Sequence, residues 1–317
     1  MQNKRKEILY KDWIYEWLLE KKIYIKESTY ACYSNNIFNH IIPELGNYYL
    51  KDINHKIIQT FLLNLANNEN KLSSKTIKDI SIIIKGSIKK GINEKLIDYF
   101  ELDFYYPKDE KKKNIYILTK EEQEILTEYA IKHFSNQSIG LLLALYSGIR
   151  IGELCALKWE DIDFKSGIIK INKTIQRIYI KNMDGYLSKV IVTNPKTKNS
   201  YREIPINKKL LKLLKQFNGN KKGFVISKNG NFVEPRTYRK YFNRTLKVNS
   251  LRHINFHSLR HTFATNCISL GANYKTVSEL LGHANINITL NLYVHPRMNE
   301  KKKCINLVSK VFEEKIN

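Results

Sequence analysis

Apolar residues recur at helical spacing along most of this chain, and the period changes to two only between Gly167 and Ile206. That one interruption points to a mainly α fold with a small antiparallel β-sheet, an α+β architecture. Inside it, I-I-K-I-N-K-T-I-Q-R-I and K-V-I-V-T alternate with β-branched residues, and Arg202 to Ile206 forms a third short strand. Between the last two lies N-P-K-T-K-N-S, a turn-forming cluster that sets two lysines at a hairpin tip.

Up to about residue 105 the pattern is helical throughout. Trp13, Ile14, Trp17 and Leu18 make the first apolar stripe. Ser28 is a cap for a second helix carrying Tyr30, Tyr33, Ile37 and Ile41, which should stop at Pro43 with Gly46 beyond it. Asn54 is a cap for a third, with Ile57, Ile58, Phe61, Leu62 and Leu65 on its face. Ser73 or Ser74 starts a fourth, which turns Ile77, Ile80, Ile84 and Ile88 inward and ends at Gly91. Lys75, Lys78, Lys85, Lys89 and Lys90 point largely outward on that helix; each is either a solvated side chain or a contact to phosphates. The run P-K-D-E-K-K-K-N, Pro107 to Asn114, has no apolar residue and reads as a linker. The expected domains are therefore residues 1–106, a linker over 107–118, and residues 119–317.

The second domain opens with a capping box, Thr119 with Glu122. A strongly apolar helix follows from Ser138 to Tyr146 and ends at Ser147-Gly148, with a second helix starting near Gly152. Arg150 lies between the two. An arginine beside so apolar an element requires an anion, which either Glu153 or a ligand could supply. Helical patterns return at Lys208 to Phe217, at Pro235 to Leu246, and in two helices within Asn255 to His295.

The 54 lysines and arginines outnumber the 30 acids, a formal charge of +24, and this favours a polyanionic partner, nucleic acid before membrane. No apolar run is long enough to span a bilayer, and M-Q-N-K-R-K-E-I-L-Y leads into no signal-peptide core. Cys32, Cys155, Cys267 and Cys304 stand far apart and are expected to be reduced, mostly buried thiols of a cytoplasmic protein.

The stretch from Asn255 to His295 holds His257, Arg260, His283 and Tyr293. Guanidinium forks hold phosphate oxygens bidentately, histidines shuttle protons near neutral pH, and a tyrosine attacks phosphorus where cations favour its phenolate. Each residue also has an ordinary reading, such as His283 closing a helix at Gly282. His253, His257 and His261 lack the carboxylate or cysteine of a zinc site, so neither metal nor cofactor is expected.

Taken together, G-I-R-I-G-E-L around Arg150, H-S-L-R-H-T-F-A-T around His257 and Arg260, L-L-G-H at His283 and T-L-N-L-Y at Tyr293 closely resemble the tyrosine recombinases, or phage integrases, of the mobile-element type. The sharp motifs run from Thr119 to about His295. The N-terminal bundle resembles the family's SAM-like core-binding domain. The resemblance implies that Tyr293 attacks a DNA phosphate to form a 3′-phosphotyrosyl link. Arg150, Arg260 and His283 would stabilise the transition state, and His257 would act in general acid/base work. Lys196, with Lys198 as the alternative, would protonate the leaving oxygen, while Glu153 and Asp161 would support from behind. It also implies double-stranded DNA as partner, a tetramer joined through the tail around Ile305, Leu307, Val308 and Val311, a Holliday junction, and accessory directionality factors. No arm-binding segment precedes the bundle, so a two-domain recombinase or a shortened chain is expected. A type IB topoisomerase and a DNA-binding protein with a decayed site are the rival readings.

Overall fold

A computed structural model describes residues 7–67, 71–108, 116–194, 201–217, 221–293 and 302, with the side chains of 288 and 291–293 outside the description. The greater part of the linker run, Lys196 and Lys198, Cys304 and the apolar tail positions lie outside the described residues. Close contacts divide the chain into two units, residues 1–114 with 177–190, and residues 115–176 with 191–317.

In the first unit, α1 (Tyr10–Tyr24), α2 (Glu27–Asn36), α3 (Ile42–Leu45), α4 (His55–Asn67) and α5 (Ser74–Asn93) surround one apolar core. Most residues of the expected stripes are buried, Trp13, Trp17, Ile77, Ile80, Ile84 and Ile88 among them, while Tyr33 and Ile57 are half-buried. Asn54 and Ser73 cap as their positions imply: Asn54 Oδ1 accepts from Ile57 N at 3.1 Å and Ser73 Oγ from Thr76 N at 3.2 Å. Deep in the core, Tyr10 Oη meets Ser87 Oγ at 2.8 Å and Trp13 Nε1 donates to Ser87 O at 3.1 Å.

Three boundaries in this unit differ from the sequence reading. Lys26, not Ser28, is the N-cap of α2, and its side chain makes no capping bond. The second helix does not stop at Pro43. A π turn over Ile37–Ile41, closed by the Ile42 amide on Ile37 O, leads into α3 with Pro43 in its first turn. Proline has no amide to give and crowds the carbonyl four residues back, and the wider turn accommodates both. Gly91 does not end α5 either. A Cβ there would stand 2.6 Å from Ile97 Cδ1, so glycine serves close packing while the helix continues to Asn93.

The first unit also includes most of a ribbon made by β3 (Thr174–Asn182) and β4 (Gly185–Thr193). The Asn35 side-chain amide donates to Tyr179 O at 2.6 Å, Lys181 Nζ to Asn39 Oδ1 at 2.8 Å, and Lys189 pairs with Glu27 at 2.6 Å.

In the second unit, α6 (Lys120–Lys132) carries the Thr119–Glu122 capping box. The buried α7 (Asn136–Ser147) starts two residues before Ser138, because Ser135 is its cap. It ends at Gly148, and α8 (Ile151–Ala156) follows. The first expected strand splits at Asn172-Lys173. Its first part, β2 (Ile168–Ile171), lies between β1 (Ile162–Asp163) and β5 (Arg202–Pro205), both antiparallel to it. Thus β5 pairs with β2, Ile171 opposite Arg202, and not with the ribbon. The helices α9 (Lys208–Gln216), α10 (Pro235–Val248), α11 (His257–Ser269), α12 (Tyr274–Leu281) and α13 (Ile286–Tyr293) complete the unit, with a small hairpin of β6 (Ser227–Lys228) and β7 (Asn231–Phe232). Cys155 is buried as expected, whereas Cys267 is half-buried and Cys32 exposed.

Gly148 turns the chain from α7 toward α8 at φ 62°, where a Cβ would lie 2.7 Å from Phe263 Cδ1 and 2.9 Å from Leu281 Cδ2. Left-handed backbone and overpacking act together here, so Gly148→Ala is expected to lower the unfolding free energy by about 2–4 kcal/mol in urea titration. A loss well under 1 kcal/mol would contradict this account of the turn.

Candidate active site

The C-terminus of α12 organises the site. Gly282 is left-handed at φ 63°; its amide donates to Glu279 O at 2.9 Å and the His283 amide to Ser278 O at 3.0 Å. This Schellman closure satisfies the carbonyls of residues 278 and 279 and leaves the next three in need of donors. Each receives an arginine from a different part of the chain. Arg202 Nε donates to Leu280 O at 2.7 Å, Arg260 Nη2 to Leu281 O, and Arg150 Nη2 to Gly282 O at 2.9 Å. Cations at the negative end of a helix are favourable, and partial burial strengthens the effect.

Glu153 joins two of these arginines. Arg202 grips its carboxylate as a fork, Nη1 to Oε1 at 3.0 Å and Nη2 to Oε2 at 2.8 Å. Arg150, at the start of α8, adds Nη1 to Oε1 at 2.8 Å and its amide to Oε2 at 3.0 Å. Burial alone would raise the Glu153 carboxyl; the Arg202 fork first, and then Arg150, hold it at about 2. The pairing of Arg150 is therefore with Glu153, yet 34% of its side chain stays in solvent, against 5% for Glu153 and for Arg202. Arg150 is both ion-paired and open to a ligand. Arg260 is 2% exposed and reaches back to Gly148 O at 3.0 Å, so it ties the ends of α7 and α12 to α11.

Two histidines complete the group. His283 follows the helix end directly, buried, with Nδ1 2.8 Å from Thr289 Oγ1 on α13. Loss of hydration, then the charges of Arg260, Arg150, His257 and Arg202, bring it down to about 3. His257 opens α11, its ring edge-on to His261 with centroids 4.7 Å apart. Partial desolvation, then His261, Arg260 and Arg150, lower it to about 4; the residue as a whole is exposed, so the cations around it secure the direction. Both imidazoles are thereby held in the neutral form at pH 7, beside fixed positive charge.

Tyr293 is the last residue of α13, one turn beyond Thr289, and its side chain lies outside the description. Asp161 stands at another junction, where it accepts from Lys158 N at 3.0 Å and from the Asn172 amide at 2.8 Å, ahead of β3. In the other unit Lys75, Lys78 and Lys89 are exposed on α5, and Lys85 is half-buried. Lys85 Nζ lies 5.2 Å from the Phe104 ring and Lys78 Nζ 5.5 Å from that of Tyr106, so both also rest on the strap that follows α5. Among the described residues, no group of three or more His, Cys, Asp or Glu could hold a metal ion. Arg202 and Thr289 were not singled out by sequence. Only Arg202 left a signal: it stands two residues before the buried Ile204, on the inward phase of a strand, where a charge needs a partner.

Both histidines have folded values below the ordinary 6.5, so the unfolded chain takes up protons first as the pH falls. Stability should therefore drop between about pH 6.5 and 4.5, with Glu153 adding a loss only below about 4.5. Urea unfolding of His283→Gln should show a shallower drop in that window than the wild type; equal slopes would contradict the assignment.

The sequence and the fold have known counterparts. The description "Phage integrase family" matches residues 116–300 and "Phage integrase, N-terminal SAM-like domain" matches residues 9–66. A "Tyrosine recombinase XerC-like" protein of Caldanaerobacter subterraneus subsp. tengcongensis is 30% identical, covering 95% of this chain and 83% of its own length. The "ICEBs1 integrase" of Bacillus subtilis is 28% identical over 83% of this chain and 73% of its own. In fold, the chain is similar to the Tn1549 transposon integrase solved with transposon right end DNA, at a TM-score of 0.75 and 22% identity over 95% of this chain and all of that one. With a family match over more than half its residues and a relative matched along nearly its whole length, the chain belongs to the phage integrase family of tyrosine recombinases.

Proposed function

We propose that this chain cuts and rejoins DNA at specific sites through a 3′-phosphotyrosyl intermediate, integrating, excising or resolving a mobile genetic element. The observation that carries the reading is the gathering of Arg150, Arg260 and His283 at one helix end, with His257 near enough to feel the charges of both arginines, and with α13 leading on to Tyr293. Arg150 meets the scissile phosphate with the exposed part of its guanidinium. Arg260 and His283 back it, and together they offset the charge that develops on the non-bridging oxygens. A neutral His257 accepts the phenol proton as the Tyr293 oxygen bonds to phosphorus. The bond from phosphorus to the 5′-oxygen breaks, and Lys196 or Lys198 gives that oxygen a proton. Attack by a 5′-hydroxyl of a second duplex reverses the steps with exchanged strands, through a Holliday junction.

The net charge of +24 and the lysines Lys75, Lys78, Lys85 and Lys89 on α5 suit duplex DNA held largely by its phosphates. The same reading takes the helical unit up to about residue 106 as the core-binding part. It takes the tail with Ile305, Leu307, Val308 and Val311 as the contact that builds a tetramer on two DNA sites, with accessory factors setting direction. No helix among the described residues is long and apolar enough to cross a membrane, and we take the cytoplasm as the site of action.

A nicked suicide substrate bearing the element's end sequence tests this in the presence of EDTA. The wild type should form covalent protein–DNA, and Tyr293→Phe should form none. Arg150→Lys should slow formation by roughly 10²-fold or more, since lysine cannot reproduce the fork. Covalent product from Tyr293→Phe, or relaxation of supercoils irrespective of sequence, would overturn the reading.

A further inference from the structure

We infer that Arg202 is a positioning residue for strand cleavage: it holds Glu153 and the end of α12 so that Arg150 and His283 keep the arrangement the reaction needs. The inference rests on the recombinase reading above and assigns a role to a side chain that does not touch the substrate. Arg202 is 5% exposed, against 34% for Arg150, so the phosphate meets Arg150 while Arg202 stays behind it.

Three of its hydrogen bonds run in two directions. The fork closes on both oxygens of Glu153, and Nε reaches Leu280 O at 2.7 Å. Without that fork, Arg150 would be the one remaining guanidinium bonded to the Glu153 carboxylate among the described residues. A buried carboxylate with a single cationic partner draws that partner toward itself. Arg150 would then turn from its single bond at Oε1 toward a bidentate grip, away from Gly282 O and from solvent. The Leu280 carbonyl would lose its donor at the same time, loosening the helix end that immediately precedes His283. A lysine supplies the charge but not two parallel donors plus a third at a fixed angle.

Arg202 has a second structural task. It is the first residue of β5, paired opposite Ile171 of β2, and it follows Lys196 by six positions and Lys198 by four. The residue that fixes Arg150 therefore also anchors the strand that follows Lys196 and Lys198 in sequence.

The experiment uses the full chain with the suicide substrate and reads three quantities: DNA affinity, single-turnover cleavage at saturating DNA, and thermal stability. Arg202→Lys and Arg202→Met should bind DNA within about threefold of wild type yet cleave roughly 10²-fold more slowly, the scale of an ångström-level misplacement. The double variant Glu153→Met/Arg202→Met replaces the buried pair by apolar side chains of similar volume, an exchange that often restores stability. It should regain thermal stability over Arg202→Met and remain slow to cleave, which separates positioning from mere support of the fold. Wild-type cleavage rates in Arg202→Lys, or recovery of cleavage along with stability in the double variant, would overturn the inference while leaving the recombinase reading intact. Absence of any Tyr293-dependent adduct in the wild type would overturn both.

Discussion

A helix ends with carbonyls that nothing within the helix can satisfy, and at the end of α12 three carbonyls, those of Leu280, Leu281 and the following Gly282, are each met by an arginine. Side chains, water or ligands can meet such groups. Here the donors arrive from β5, from α11 and from the start of α8, so one short stretch of main chain fixes three distant segments relative to one another. Glu153 then ties Arg150 to Arg202. The arginines are held by the partial negative charges of these carbonyls and by Glu153. Donors fixed in this way need little reorientation to meet an anion.

The same concentration of guanidinium sets the state of the histidines. With desolvation and fixed positive charge acting in one direction, His257 and His283 both stay neutral. The arginines cannot lose their protons, and the same positive charge together with desolvation keeps both imidazoles in the neutral form.

Local rules carried much of the fold. The Thr119 box, the Asn54 and Ser73 caps and the isoleucine stripe of α5 lie where side-chain chemistry and periodicity put them, because each is decided within a turn or two. Features decided by neighbours in space were missed. The turn at Ile37–Ile41 depends on what Pro43 cannot donate, Gly91 on the approach of Ile97, and the pairing of β5 on a strand some thirty residues earlier. In the site, Arg150, His257, Arg260 and His283 were legible as a motif. Arg202 and Thr289 were not, since each matters through one partner, Glu153 or His283, that only the folded chain brings near.

The three carbonyls have a last consequence, for the kinds of substitution this site tolerates. A peptide group is the same whatever side chain it carries, so the clamp itself places no demand on the side chains at 280, 281 and 282. Leu281 is constrained by the core it fills and Gly282 by its left-handed backbone, while Leu280 is bound by neither. The acceptor side of the site is written in main chain, where one residue type can drift into another without disturbing it. The donor side is written in side chains, where exchanging one cation for another loses the geometry.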